Sequence, residues 1–312
     1  MSRFIIMKKI KNFINRLANR IITRTHWYNE DFWQGTTKFW NISSCDYEVM
    51  NLGSNSGKYS FNYDNISTKG FNAAIGPQSL VHDFNILKNY FSHLKDGGIV
   101  LIPLTPFSCL YSSYSKESNF KYYPILHPAT IIDFDDNERT KAYKIRYSPL
   151  RAMPKLCIKR TLKEYLKKML PRRRRTSNFD YDKNAEMWVN LWKKQFNIDN
   201  LDESLSEKHQ QEQISRRETL QEMILFCKER NLRPYIVLPP IHPTLSSRLS
   251  NSFMKNYVYD FVEPVMDKEA ILLDYFNNIS FHKDEYFQNS FFMSKEGANT
   301  FTKKILMDIG IL

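Results

Sequence analysis

Between residues 46 and 108, and again between 219 and 309, short apolar runs alternate with stretches whose apolar positions recur every three or four residues. The first run, Tyr47-Glu48-Val49-Met50-Asn51-Leu52, leads into Gly53-Ser54-Asn55-Ser56-Gly57, the pattern of a strand ending in a glycine-bounded turn. Phe71 to Ile75 predicts a second strand closed by Gly76-Pro77, and Gln78 to Leu94 a helix with Leu80, Phe84, Leu87, Tyr90 and Phe91 on one face. Gly97-Gly98 is expected to stop that helix. Ile99-Val100-Leu101-Ile102 is a continuous apolar run, as expected of a strand covered on both faces, and it ends in the turn Pro103 to Ser108. The unit then recurs: a helix from Thr219 to Arg230, a strand Tyr235 to Leu238 running into Pro239-Pro240, a helix near Ser250 to Val262, a strand Ala270 to Asp274 and a closing helix Lys295 to Ile309. Helix between strand and strand implies right-handed crossovers. The predicted fold class is a three-layer α/β/α, flavodoxin-like arrangement with a parallel five-stranded sheet.

Two segments stand outside this repeat. In residues 4–22, Phe4, Ile5, Ile6, Ile10, Phe13, Ile14, Leu17, Ile21 and Ile22 fall at helical spacing with Lys and Arg between them, which predicts a basic amphipathic helix. Such a helix packs on its own domain, on a second subunit, or on an anionic membrane surface. Residues 109–212 hold a Tyr-rich stretch, a basic helix Lys155–Leu170, the run Arg172-Arg173-Arg174-Arg175 and a Trp-bearing helix around Met187 to Phe196, and read as a mostly helical insertion. The expected organisation is a lead-in at 1–45 and an α/β domain at 46–312 carrying that insertion.

The net charge of +12 narrows the partners to something anionic, but its distribution narrows them further. Residues 1–24 contribute +7 and Lys155 to Arg175 contribute +9, which leaves the remainder at −4. The basicity therefore belongs to two segments, and without a zinc-finger, helix-turn-helix or RNA-recognition signature no nucleic-acid partner is expected. Cys45, Cys109, Cys157 and Cys227 lack CxxC spacing, so neither disulfides nor a thiolate metal site is expected. No run of about 20 apolar residues is present and no cleavage-site pattern follows the N-terminal basic stretch, which points to a cytoplasmic protein, peripheral at the inner membrane face if 4–22 meets lipid.

A parallel sheet presents its chemistry at the carboxyl ends of its strands. That nominates the turns Gly53–Lys58, Gly76–Gln78, Thr105–Ser108 and Pro239–Pro243. The first is not a P-loop, because Gly53 is one residue too close to Gly57 and Tyr59 stands where a magnesium-binding hydroxyl belongs.

The Gly-Ser-Asn-Ser turn at 53–56, the Gly-centred second turn at 76 and the block Asn289-Ser290-Phe291-Phe292-Met293-Ser294-Lys295-Glu296-Gly297-Ala298 together resemble the SGNH hydrolase superfamily, over roughly 46–108 and 219–309. Within it they look like the branch that transfers or removes O-acyl groups on bacterial surface or capsular polysaccharide. The resemblance implies a serine nucleophile two residues after the first Gly, and a final Asp-x-x-His. This chain has Asn55, Asn289 and Phe292 at those positions, with Ser54 and Ser56 flanking Asn55. A serine without a base is a poor nucleophile. Either the triad has moved, with Ser54 or Ser56 as nucleophile and His242 in Pro239-Pro240-Ile241-His242-Pro243 as base, or the protein binds a glycan or assembly partner without cleaving it. His242 also reads as a plain loop histidine. His82-Asp83 share no helix face, and His282 with Asp284 is a weaker alternative.

Oxyanion or substrate contacts are expected from Gly53, Asn55, Asn72, Gly76, Gln78 and Asn289, although Asn55 also reads as a turn residue and Gly297 as a helix-entry glycine. Tyr111, Tyr114, Tyr122, Tyr123, Trp188 and Trp192 would stack on sugar rings or fill a core. The implied partner is a carbohydrate or acylated sugar, with no cofactor. Nucleotide-sugar transfer is a third reading, motivated by the basic insertion and by turns able to hold an anion.

Overall fold

A computed structural model describes residues 2–111, 116–170 and 179–312. In chain order it contains α1 (Ser2–Ile22), β1 (Tyr47–Asn51), α2 (Asn55–Ser60), β2 (Gly70–Asn72), α3 (Leu80–Tyr90) and β3 (Leu94–Pro103). Then follow α4 (Asp136–Tyr147), α5 (Pro149–Ala152), α6 (Pro154–Met169), α7 (Tyr181–Phe196), α8 (Glu207–Lys228) and β4 (Arg233–Leu238). The chain closes with α9 (Pro243–Ser246), α10 (Asn251–Met254), α11 (Asp260–Val262), β5 (Ile271–Asp274) and α12 (Lys295–Asp308).

The five strands form one parallel sheet in the order β2-β1-β3-β4-β5. Alternate residues serve opposite faces. Val49, Ile99, Leu101 and Val237 pack with Phe301, Ile305 and Leu306 of α12, while Met50, Val100, Ile102 and Ile236, also fully buried, serve the other face, the one α8 covers. Burial on both sides is why these strands read as unbroken apolar runs rather than alternations. The strand order reverses direction at β1, and the crevice between the carboxyl ends of β1 and β3 is where such sheets bind ligands.

The second strand and the helix after it are shorter than the sequence reading expects, at Gly70–Asn72 and Leu80–Tyr90, and three further differences are larger. Gly97 and Gly98 do not end a helix but lie inside β3, where Gly97 takes a positive φ of 67°. The pairing accordingly slips, with Tyr47 opposite Leu94 and Val49 opposite Ile99. α8 starts at Glu207, twelve residues before the expected Thr219, because Ser206 caps it and its first three turns bury polar side chains, His209 and Gln213, that leave no apolar stripe to read. The expected helix at 250–262 is broken by a π-helical turn at Lys255–Tyr259 between α10 and α11.

The chain divides into two compact units, Met1–Ser43 with Ser115–Thr176, and Ser44–Tyr114 with Ser177–Leu312. These boundaries fall differently from 45, 109 and 212: the middle of the insertion belongs with the N-terminal segment, and α7 and the start of α8 stay with the sheet. The first unit is helical, around an aromatic cluster in which Trp33 stacks on Phe120 and meets Tyr28 and Trp40 edge-on. Tyr122 and Tyr123 are 1% and 2% exposed there, so they are core and not sugar-stacking surfaces. Tyr114 and Arg172–Arg175 lie outside the described residues. Among the described residues no helix is long and apolar enough to cross a membrane.

Candidate functional site

In the second unit a cavity of about 140 Å³ opens over the carboxyl ends of β1 and β3. Its polar floor comes from three turns, Ser54, Asn55 and Ser56 after β1, Gln78, Ser79 and Asp83 around the start of α3, and Thr105 and Ser108 after β3. Its walls are aromatic: Phe107, Tyr111, Trp188, Trp192 and Phe196, then Phe291 and Phe292 from the loop before α12.

The floor is tightly built. Gly53 has φ 110°, a conformation that needs glycine, and a Cβ there would meet Gly57 Cα at 3.3 Å. Its N–H donates to buried Asp83 Oδ1 at 2.9 Å, and its carbonyl accepts from Gln78 Nε2 at 3.2 Å. Gln78 Nε2 also donates to Asp83, and the Gln78 N–H donates to Ser54 Oγ at 3.1 Å. Asp83 thus ties the first turn to α3. It was legible as an acid in the first turn of a helix following a Gly-Pro turn, but the sequence reading weighed it as a partner for His82. Gly76 lies against Asn55, since a Cβ on it would fall 1.7 Å from Asn55 Oδ1.

Two residues that line this cavity each carry a buried polar atom without a hydrogen-bond partner among the described residues: the hydroxyl of Ser56, itself 7% exposed, and the indole N–H of Trp188. Buried polar atoms of folded proteins are nearly always satisfied; Trp33, Trp40, Asn51 and Tyr63 carry other such atoms, and what marks Ser56 and Trp188 is that both residues line one cavity. The aromatic walls interlock. Trp188 meets Phe291 and Phe292 with ring centres 5.1 and 5.5 Å apart, and Phe107 stacks on Phe196 at 5.0 Å.

The remaining predicted residues are placed elsewhere or already engaged. Asn72 is a brace: its amide donates to the carbonyls of Gly57, Lys58 and Phe61, and its oxygen accepts from Asn51 Nδ2 and the Ala74 N–H. Asn289 Oδ1 accepts from the N–H groups of Phe291 and Phe292 at 2.9 and 2.8 Å, which turns Phe292 into the cavity. His242 does not line the cavity. Its Nδ1 accepts from the Thr244 N–H at 3.3 Å, which leaves the ring proton on Nε2 to donate to Asp284 Oδ1 at 3.1 Å. The ring also stacks on Tyr181 with centres 4.0 Å apart. Both nitrogens are committed to bracing, so the expected base and the expected serines do not come together. His282 is exposed, and its neighbour Asp284 serves His242 instead. Buried His82 sits beside Ser79 Oγ, 3.0 Å from its Nδ1.

A larger open groove of about 970 Å³ in the first unit is lined by Arg139, Tyr143, Lys144, Tyr147 and Arg151 along α4 and α5. Its lining carries no buried unpartnered polar atom, so the smaller cavity is the better candidate. Among the described residues no group of His, Cys, Asp or Glu is arranged to hold a metal ion. Burial pushes the thiols of Cys109 and Cys227 up to about 12, which keeps them protonated and unreactive at neutral pH. The sequence matches no protein-family model and no curated protein.

Proposed function

We propose that the second unit binds a carbohydrate in the cavity over β1 and β3, as a non-cleaving relative of the SGNH hydrolases that handle surface polysaccharide. The observation that carries this reading is the pair of unpartnered groups, Ser56 Oγ and Trp188 Nε1, set among aromatic faces. A sugar ring offers apolar C–H faces for Trp188, Trp192 and Phe292, and hydroxyls that accept from the indole N–H and exchange hydrogen bonds with the serine hydroxyl and Asn55. The volume of about 140 Å³ is well below the ~300–1,000 Å³ of pockets that enclose drug-sized ligands, which suits one sugar residue of a longer chain.

Ester cleavage has weaker support. Ser54 Oγ accepts from a backbone N–H, and Ser56 Oγ has no partner among the described residues, so neither serine has a group positioned to take its proton. Phe292 lines the cavity where the resemblance expects histidine.

Titrating the purified protein with monosaccharides and their O-acetylated forms, following tryptophan fluorescence, tests the reading. A saturable change that Trp188→Ala reduces at least tenfold is expected, with hydrolysis of p-nitrophenyl acetate at background. Turnover above background that Ser54→Ala or Ser56→Ala abolishes would establish the esterase reading instead.

A further inference from the structure

Among the described side chains, the amphipathic helix at the N-terminus leaves most of its apolar face unburied. Met7, Ile10, Phe13, Ile14, Leu17 and Ile21 of α1 are 40–68% exposed, while Ala18, Asn19 and Ile22 turn inward and Asn19 Oδ1 accepts from the Leu150 N–H of α5 at 3.0 Å. α6 repeats the arrangement. Ile158, Leu162, Tyr165, Leu166 and Met169, spaced as one stripe, are 45–80% exposed. Its inward face is held by polar bonds. Thr161 Oγ1 accepts from Trp27 Nε1 at 3.1 Å, and Glu164 accepts from the N–H groups of His26 and Trp27 at 3.0 and 2.9 Å.

One unit therefore presents two apolar stripes outward, on helices that each carry six Lys and Arg. α1 has no acid, and the single acid of α6, Glu164, is turned inward and paired with Lys168. This charge decides the occupant. Two copies of the unit meeting through these faces would bring a dozen cations from each side together with almost no acid to oppose them. An anionic bilayer supplies both things the surface lacks, an apolar phase at the depth of the stripes and negative charge at their flanks.

We infer that the first unit docks on an anionic lipid surface through the outward stripes of α1 and α6 together, lying in the headgroup region without spanning it. This inference is independent of the carbohydrate reading.

The test is co-sedimentation of the full chain with large vesicles of phosphatidylcholine, with and without 30 mol% phosphatidylserine. Partitioning at least tenfold stronger on the anionic vesicles at 0.1 M NaCl is expected, with most of it lost at 0.5 M. Phe13→Asp with Leu17→Asp, and separately Leu162→Asp with Leu166→Asp, alter exposed side chains. Each pair is expected to weaken binding at least tenfold with an unchanged melting temperature. Protein that stays in the supernatant with anionic vesicles overturns the proposal. So does binding that survives both pairs, or a dimer by gel filtration that the same pairs dissociate while vesicle binding stays weak throughout.

Discussion

If Ser56 Oγ and Trp188 Nε1 are reserved for a ligand, removing them should stabilise the free protein and weaken binding, a combination that neither a structural nor a catalytic serine produces. Ser56 is 7% exposed and lies in α2 with its hydroxyl unpartnered. A buried hydroxyl left unsatisfied costs about 1–3 kcal/mol, and Ser to Ala in a helix returns roughly 0.5 kcal/mol of propensity. Against this stands the loss of a few packing contacts, so Ser56→Ala should gain about 1 kcal/mol. For a unit of this size that is a rise of roughly 2–4 °C in melting temperature. Trp188→Phe keeps an aromatic wall and deletes the N–H, and should be neutral to slightly stabilising. In the sugar titration each variant should bind about 3–10-fold more weakly, the worth of one neutral hydrogen bond at about 0.5–1.5 kcal/mol. Urea melts and titrations on the same preparations measure both sides. Destabilisation of 1 kcal/mol or more by either substitution would mean that the group is already satisfied inside the protein. The cavity reading would then lose its main support.

Glu164 gives a pH-dependent prediction in the first unit. Its partial burial opposes charge, but the Lys168 ammonium and the N–H groups of Trp27 and His26 outweigh that and hold its pKa at about 2 instead of 4.5. A lowered folded pKa contributes stability that is complete above about 4.5 and is lost as pH falls toward 2. Discounted for solvent screening, Glu164→Gln should therefore cost about 2 kcal/mol at pH 7 and roughly a quarter of that at pH 2.5 by urea melts; a difference independent of pH would refute it. His242→Ala removes a helix cap, a hydrogen bond to Asp284 and a ring stack, and should cost about 2 kcal/mol while leaving sugar affinity unchanged. A loss of affinity at unchanged stability would return His242 to the site.

The sheet was legible because its central strands are buried on both faces and bounded by Gly and Pro, so run length and punctuation alone mark Val49 to Asn51, Ile99 to Ile102 and Tyr235 to Leu238. What failed were places where polar side chains do structural work. The first turns of α8 bury His209 and Gln213, and Gln213 Nε2 donates to the Asn256 carbonyl. No hydrophobic period announces such a helix. The floor of the cavity was legible in its turns, since Gly53 and Gly76 mark chain reversals whatever they hold. The walls were not, because Phe107, Phe196 and Phe291 look in sequence like any core residue, and facing a cavity is a property of the assembled unit. The orientation of α1 was undetermined for the same reason: periodicity fixes that a helix has an apolar face, and only its inward contacts, through Asn19 and Ile22, fix where that face points.

The block before α12 fixes where residue 292 points. An aspartate at position 289 would cap the following turn with its carboxylate, and the Asn289 amide oxygen accepts the same two N–H groups without a charge. Gly297 remains obligatory, because a Cβ there would lie 2.1 Å from the Tyr286 carbonyl oxygen, and Ser294 still caps α12 through the Gly297 N–H. These features deliver residue 292 to the cavity whatever its side chain is. With phenylalanine delivered, the neighbouring serines face an apolar wall packed against Trp188 and Tyr59. Such a wall withholds from Ser54 and Ser56 the proton acceptor a nucleophile needs, which among the described serines of this cavity only Ser79 has, 3.0 Å from His82 Nδ1, and strengthens any hydrogen bond they make to a bound ligand by excluding water. Ser54 and Ser56 in these surroundings have more to contribute as ligand contacts than as attacking groups.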